Sequence, residues 1–284
     1  MILVTGATGN NGSEIVKLLA AQNIPVRAMV RDRQQASAIA APNVAVVEAD
    51  FDRPETLLAA LNGVERAFLV TNSSERAQAQ QMAFVELAKQ SGVAHIVKLS
   101  QYAANTNSPV RFLRYHAAVE AAIRASGMAY TFLRPNLFMQ SLLNFRRAIA
   151  TKNAFYAAIG DAKVSAVDVR DIAEVAVATL TASGHEGKTY DLTGPQALSH
   201  TEMAQYISHA TGRQITFVDI TPETMLDTLL SVLPAWQAEG LIEDYAHYRR
   251  GEASAIAPSV QDVTGKAPRS FETFARDYAQ MFSS

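Results

Sequence analysis

No cysteine occurs in the 284 residues. That excludes a disulfide framework, an iron–sulfur cluster, a thiolate zinc site and a cysteine nucleophile. Charge is sparse as well. Charged residues make up 18% of the chain and the net charge is −2, so no basic field exists to hold nucleic acid by counterion release. No apolar run approaches a membrane span, and the few apolar residues before Thr5 and Gly6 are too short for a secretory signal. A cytoplasmic protein is expected. No His, Asp and Glu cluster has metal-ligand spacing, and no Gly-x-Ser-x-Gly elbow supports an esterase. What is plentiful is apolar side chain, 49% of residues, enough for a sizeable core.

The first twelve residues, MILVTGATGNNG, read as a short apolar strand entering a glycine-rich turn, followed by a helix over 13–22 with Ile15, Leu18 and Leu19 at helical spacing. A strand, tight turn and helix start gather backbone N–H groups and the positive end of a helix dipole at one point, which suits a pyrophosphate. Gly6 can take a turn conformation that a Cβ resists, Gly9 lets the backbone approach a phosphate, and Gly12 lets the helix pack closely. Thr8, Asn10 and Asn11 complete the expected cofactor loop. The spacing is Gly-x-x-Gly-x-x-Gly rather than the Gly-x-Gly-x-x-Gly of the dehydrogenase fingerprint. The alternative is a tight turn that binds nothing.

Candidate strands at 2–5, 26–30, 44–49, 66–71, 95–100 and 130–134 alternate with helical stretches at 13–22, 34–40, 54–61, 76–91 and 109–126. That alternation predicts an α/β fold, a Rossmann-type doubly wound parallel sheet. After Arg134 and Pro135 the pattern loosens. A helix is expected over 137–150, another over 168–181, a strand over 189–193, and a helix over 199–212 opened by a Ser199/Glu202 capping box. Residues 1–134 thus read as the dinucleotide-binding domain. Residues 135–284 read as a smaller C-terminal α+β substrate lobe, some segments of which can return to the main sheet.

In such a fold the tip of the second strand reads the adenosine ribose. Here the strand ends in Arg31, Asp32 and Arg33. A guanidinium pairs bidentately with a phosphate, so Arg31 favours NADP(H) over NAD(H). Asp32 could accept from a 2′-hydroxyl instead. Asp50 and Phe51 follow the third strand and could meet the adenine, although turn chemistry explains the aspartate equally well. Thr71 and Asn72 end the fourth strand and Ser100 the fifth, where parallel strands line a ligand crevice.

Several stretches together carry a family likeness. They are Val4 to Gly12, Val30-Arg31, Arg114 to Glu120, Tyr130 to Asn136, Gly160-Asp161, Asp168 to Ala173 and Gly187 to Gly194. The set resembles the NmrA-like atypical short-chain dehydrogenase/reductases. The resemblance implies the fold and an NAD(P) cofactor. It also implies one of two activities: reduction of quinones, triphenylmethane dyes or related conjugated acceptors, or cofactor-dependent sensing through a protein partner without catalysis.

The wider short-chain dehydrogenases use Tyr-x-x-x-Lys. Aligned on Glu120, the lysine position falls on His116 and the tyrosine position on Phe112. Phenylalanine cannot donate a proton, which disfavours reduction of a simple ketone by that route. Hydride transfer to a quinone-like or other conjugated acceptor asks less of the protein. His116 could bond the nicotinamide ribose or donate to the acceptor, and Tyr102 could supply a phenol or simply pack. Pro135 and Asn136 could meet the nicotinamide carboxamide. Phe138 and Met139 are either acceptor-pocket or core residues. The expected partner is a small conjugated acceptor. Neither nucleic acid nor membrane is expected, and an oligomer is open.

Overall fold

The protein is described here by a computed structural model, over residues 1–283. Its strands are β1 (Ile2–Val4), β2 (Val26–Val30), β3 (Val44–Glu48), β4 (Arg66–Leu69), β5 (His95–Leu99), β6 (Ala129–Pro135), β7 (Ala154–Ala157), β8 (Lys188–Leu192) and β9 (Thr216–Asp219). Seven of them form one sheet in the order β3-β2-β1-β4-β5-β6-β8, while β7 and β9 pair in parallel in a second. Every pairing from β3 across to β6 is parallel. The strand order reverses between β1 and β4. At such a switch point the loops leaving the carboxyl ends diverge and open a crevice. The expected Rossmann-type sheet is present.

The helices are α1 (Asn10–Ala21), α2 (Pro54–Leu61), α3 (Ala77–Gln90), α4 (Arg111–Ser126), α5 (Arg146–Lys152), α6 (Val169–Thr181), α7 (His200–Thr211), α8 (Pro222–Leu230) and α9 (Ala235–Arg249), with three shorter ones beyond. The chain divides into two compact units. The first takes Met1–Asn107, Leu113–Arg134 and Val169–Asp191. The second takes Ser108–Phe112, Pro135–Asp168 and the chain from Leu192 on. The division at Arg134 is thus crossed by one later excursion, in which α6 and most of β8 complete the first unit.

In the first unit Leu3, Ala67, Leu69 and Ile96 from the strands meet Leu57, Leu61, Phe84, Val119 and Ile123 from α2, α3 and α4 in one apolar cluster. Phe84 and Phe132 are fully enclosed there. Each such side chain stabilises the fold by about 2–3 kcal/mol through apolar area removed from water. In the second unit Phe155, Met203, Ile207, Phe271, Phe274 and Phe282 build a separate cluster. The capping box at Ser199 and Glu202 is formed in both directions. Among the described residues no helix is long and apolar enough to cross a membrane, and no group of His, Asp or Glu could hold a metal ion.

Three local expectations change. Helix α1 starts at Asn10, three residues before the expected start at Ser13, because Gly9 already has extended N-cap geometry. The stretch expected as helix 34–40 is a 3-10 helix, Arg33–Ile39, capped by Asp32. The single helix expected over 137–150 is a 3-10 turn, Met139–Phe145, running into α5, which Asn153 ends in a left-handed conformation. Apolar spacing reports which face is buried; it does not distinguish i→i+3 from i→i+4 bonding.

Candidate active site

The turn between β1 and α1 is held from both sides. Thr5 Oγ1 donates to the Val70 carbonyl and accepts from the Val70 N–H, both at 2.9 Å. The Ala7 N–H donates to the Met29 carbonyl at the end of β2. The Gly9 N–H donates to Gly6 O at 2.9 Å, and the first bond of the helix proper runs from Ser13 N–H to Gly9 O. The N–H groups of Asn10, Asn11 and Gly12 therefore precede the first intrahelical donor. No side chain caps them and no acidic residue sits in the first turn.

Two glycines are required by the geometry. Gly6 has φ +58, in the left-handed region. A Cβ on Gly12 would lie 2.2 Å from Gly6 O and 2.7 Å from Gly6 C, a backbone collision. Thr8, Gly9 and Asn10 are exposed, and Asn11 is buried with an Oδ1 that has no partner. Uncapped donors and a close glycine approach fit a pyrophosphate, and the orphaned Asn11 Oδ1 can accept only from a donor such as a hydroxyl group of a dinucleotide.

Arg31 follows β2, two residues past the carbonyl that holds Ala7. It is exposed and in no ion pair among the described residues. Asp32 is committed elsewhere: its carboxylate caps the 3-10 helix, accepting from Gln34 N–H at 2.9 Å and from Gln35 Nε2 at 3.4 Å. Asp50 accepts from the Asp52 N–H at 3.0 Å, closing a turn, and Phe51 tilts against Phe84 with ring centres 5.8 Å apart. Thr71 Oγ1 accepts from Gln81 Nε2 at 2.8 Å, and Asn72 is exposed.

Beyond β5 a network forms around Glu120, which is wholly buried. Arg134 grips its carboxylate bidentately at 2.9 and 2.6 Å. Ser100 Oγ donates to it at 2.6 Å and Arg124 at 3.2 Å. Burial pushes the Glu120 pKa up, but the Arg134 and Ser100 hydrogen bonds and the charges of Arg134 and Arg124 outweigh it, and the net shift is downward. Ser100 thus spends its proton on Glu120.

Beside this network lies a basic pair. Lys98, with no exposed surface, donates to the Leu99 carbonyl at 3.0 Å and meets His116 Nδ1 at 2.9 Å. Burial drives Lys98 down to about 7, partly opposed by Glu120. Burial and then the charges of Lys98 and Arg134 hold His116 well below its ordinary value, so its ring is neutral. With Nδ1 facing an ammonium, Nδ1 accepts and Nε2 carries the proton. Nε2 has no partner among the described residues, and it is absent from the enclosed unpaired atoms. Tyr102 is half-buried; burial and then Asp191 raise its pKa and keep the phenol protonated. Asp191 has an enclosed, unpaired Oδ1, and burial pushes its carboxyl up.

The second unit holds the other expected site residues. Pro135 ends β6 and is buried. Asn136 is saturated: Nδ2 donates to Ser165 Oγ at 2.9 Å and to the Ala253 carbonyl at 2.8 Å, and Oδ1 accepts from Leu137 N–H. Phe138 is half-buried and bridges to Val167. Met139 is 2% exposed, inside the apolar cluster. Phe112 packs against Trp236, and a Cβ on Gly240 would lie 2.4 Å from its ring. Its position in the helix is therefore used for packing.

The NmrA-like family model matches residues 1–275. The chain belongs to the NmrA-like family. It is 39% identical over 285 residues to the NAD(P)H azoreductase of Xenophilus azovorans, covering 100% of both chains. Among solved structures, the NADPH-dependent quinone oxidoreductase of Escherichia coli complexed with NADPH superposes with TM-score 0.88 at 27% identity, over 98% of this chain and 99% of that one. The Citrobacter triphenylmethane reductase complexed with NADP(H) gives TM-score 0.87 at 28% identity, over 98% and 100%.

Motif reading gave Lys98 and Asp191 no role, and gave Arg134 only a backbone role beside Pro135 and Asn136 at the end of the sixth strand. The signal for Lys98 was present: a lysine inside an apolar strand of a doubly covered sheet must be buried, and a buried lysine needs a partner.

Proposed function

We propose that this chain transfers a hydride from NADPH to a flat, conjugated small molecule, with azo compounds and quinones as the acceptor class. It is an NAD(P)H-dependent oxidoreductase. The observation that carries the acceptor class is end-to-end similarity to an azoreductase, supported by the burial of Phe112 where the wider superfamily places its phenol.

The glycine turn would hold the pyrophosphate through the Asn10, Asn11 and Gly12 N–H groups, with Asn11 Oδ1 left to accept from a hydroxyl of the dinucleotide. Preference for NADPH rests on Arg31. Its guanidinium has no ion pair, while the neighbouring Asp32 carboxylate is occupied by the 3-10 helix. The bound dinucleotide supplies the hydride. The chain's own task is to hold the acceptor flat and to provide protons, for which His116 Nε2 and the Tyr102 hydroxyl are the open donors.

The test follows NADPH absorbance with a panel of azo dyes, quinones and triphenylmethane dyes. Turnover with at least one neutral acceptor is expected. Saturable NADPH binding with no turnover of any acceptor would replace this reading with that of a non-catalytic sensor.

A further inference from the structure

We propose that Lys98 is the proton source for the reduction, feeding the acceptor through the ring of His116. The inference rests on the hydride transfer proposed above and adds where the second proton originates.

The geometry forms a line. Lys98 Nζ lies 2.9 Å from His116 Nδ1 and has no route of its own to solvent, since Lys98 is fully enclosed. The far side of the ring, Nε2, is the open one. A neutral imidazole alone is a poor acid, because losing its N–H proton would leave an imidazolate. With an ammonium at Nδ1 the ring can give up the Nε2 proton while taking the Lys98 proton, and it stays neutral throughout.

The step balances for an azo acceptor. The hydride brings two electrons and one proton to one nitrogen, the N=N π bond breaks, and the other nitrogen is left anionic. The Nε2 proton goes to that nitrogen, and an Nζ–H bond breaks as the Nδ1–H bond forms. The nicotinamide is oxidised, the azo compound becomes the hydrazo compound, and Lys98 is left neutral until water protonates His116 Nε2 and the ring passes its Nδ1 proton back to Nζ. A cationic triphenylmethane dye needs none of this, because hydride alone neutralises it.

The charges around the pair suit the role. Glu120 on α4 favours the charged lysine, and Arg134 on β6 disfavours a charged His116. Tyr115 and Ser100 also lie close, the former with its ring centre 4.1 Å from that of His116, the latter bonded to Glu120. The lysine is thus the member of the pair that carries the proton. Because Lys98 sits at about 7, it is charged below neutral pH and discharged above it. Turnover of a neutral acceptor should therefore fall as pH rises through about 7.

The experiment compares wild type, Lys98→Met and Lys98→Arg with an azo dye and a cationic triphenylmethane dye under saturating NADPH, across the pH range. In Lys98→Met the ratio of azo to cationic-dye turnover below pH 7 should drop roughly a hundredfold, the usual scale of a general acid, and the limb near pH 7 should vanish. Lys98→Arg should shift that limb out of the range, since a guanidinium stays charged. In parallel, nitrogen NMR of the protein without cofactor should show His116 as the Nε2–H tautomer and Lys98 Nζ titrating near neutrality. An unchanged ratio and limb in Lys98→Met, with azo turnover intact, overturns the relay alone. An Nδ1–H tautomer overturns it too. Where the wild type turns over a quinone but no azo dye, the quinone takes the azo dye's place in the ratio; no turnover of either overturns the relay together with the proposed reduction. Lys98→Met removes a buried charge whose neighbour Glu120 keeps Arg134, Arg124 and Ser100, so the variant is expected to fold.

Discussion

His200 opens α7 with no exposed surface, and neither ring nitrogen has a hydrogen-bond partner. Its neighbours are aromatic: Phe217 at 5.2 Å, Phe155 at 6.0 Å and Tyr245 at 6.3 Å between ring centres. Nothing there stabilises an imidazolium, and burial drives the ring from 6.5 down to about 4. The sign follows. Between those values the unfolded chain binds a proton at this site and the folded chain does not, so stability falls as pH drops from 6.5 towards 4 and levels off below. At roughly 1.4 kcal/mol per pH unit the full loss is about 3 kcal/mol, of which about 2.5 kcal/mol is expressed at pH 4.5. The assay is urea unfolding of wild type, His200→Leu and His200→Phe at pH 7.5 and pH 4.5 and constant ionic strength. Other buried histidines, His95 and His116, pull the same way, so the readout is the difference between wild type and variant in the change with pH. Both variants should lose about 2.5 kcal/mol less than wild type on acidification, whatever their stability at pH 7.5. Equal losses in all three proteins would refute the reasoning and mean that the site accommodates a charged ring.

Gly12→Ala forces a Cβ to 2.2 Å from Gly6 O and must displace the turn; NADPH binding by calorimetry should be abolished, and wild-type affinity in this variant would contradict the collision. Arg31→Ala should weaken NADPH roughly thirtyfold to a hundredfold, the scale of a lost charge-assisted hydrogen bond, and NADH only slightly; equal losses would refute the phosphate assignment. Glu120→Ala leaves the half-buried Arg134 without its bidentate partner. It should cost about 3–5 kcal/mol in chemical denaturation, and a loss below 1 kcal/mol would show that the arginine rehydrates. Because the Glu120 pKa is lowered in the folded state, that stability is present above its ordinary 4.5 and fades as pH falls.

Much of the cofactor end was legible in the chain because it is local. Gly6, Gly9 and Gly12 lie within seven consecutive residues, and a strand, turn and helix at that spacing have few ways to fold. The place of Arg31 was readable for the same reason: it follows the strand beside the one that carries the loop. The engagement of Asp32 was not, since only the structure shows it turned back to cap its own helix. Asn136 and Met139 carried a binding signal by position alone, whereas their actual partners, Ser165, Ala253 and an apolar cluster, come from far along the chain.

What the amino-acid order determined by itself is the alternation of strands and helices and the glycine turn between β1 and α1, because each depends on contacts a few residues apart. What only the folded chain decided is the buried Lys98–His116 pair and the cluster around Glu120. Lys98 meets His116 eighteen positions away, and Glu120 gathers Ser100, Arg124 and Arg134 from two strands and a helix. A lysine acquires a neutral-pH proton only when the sheet and α4 close over it and remove its water.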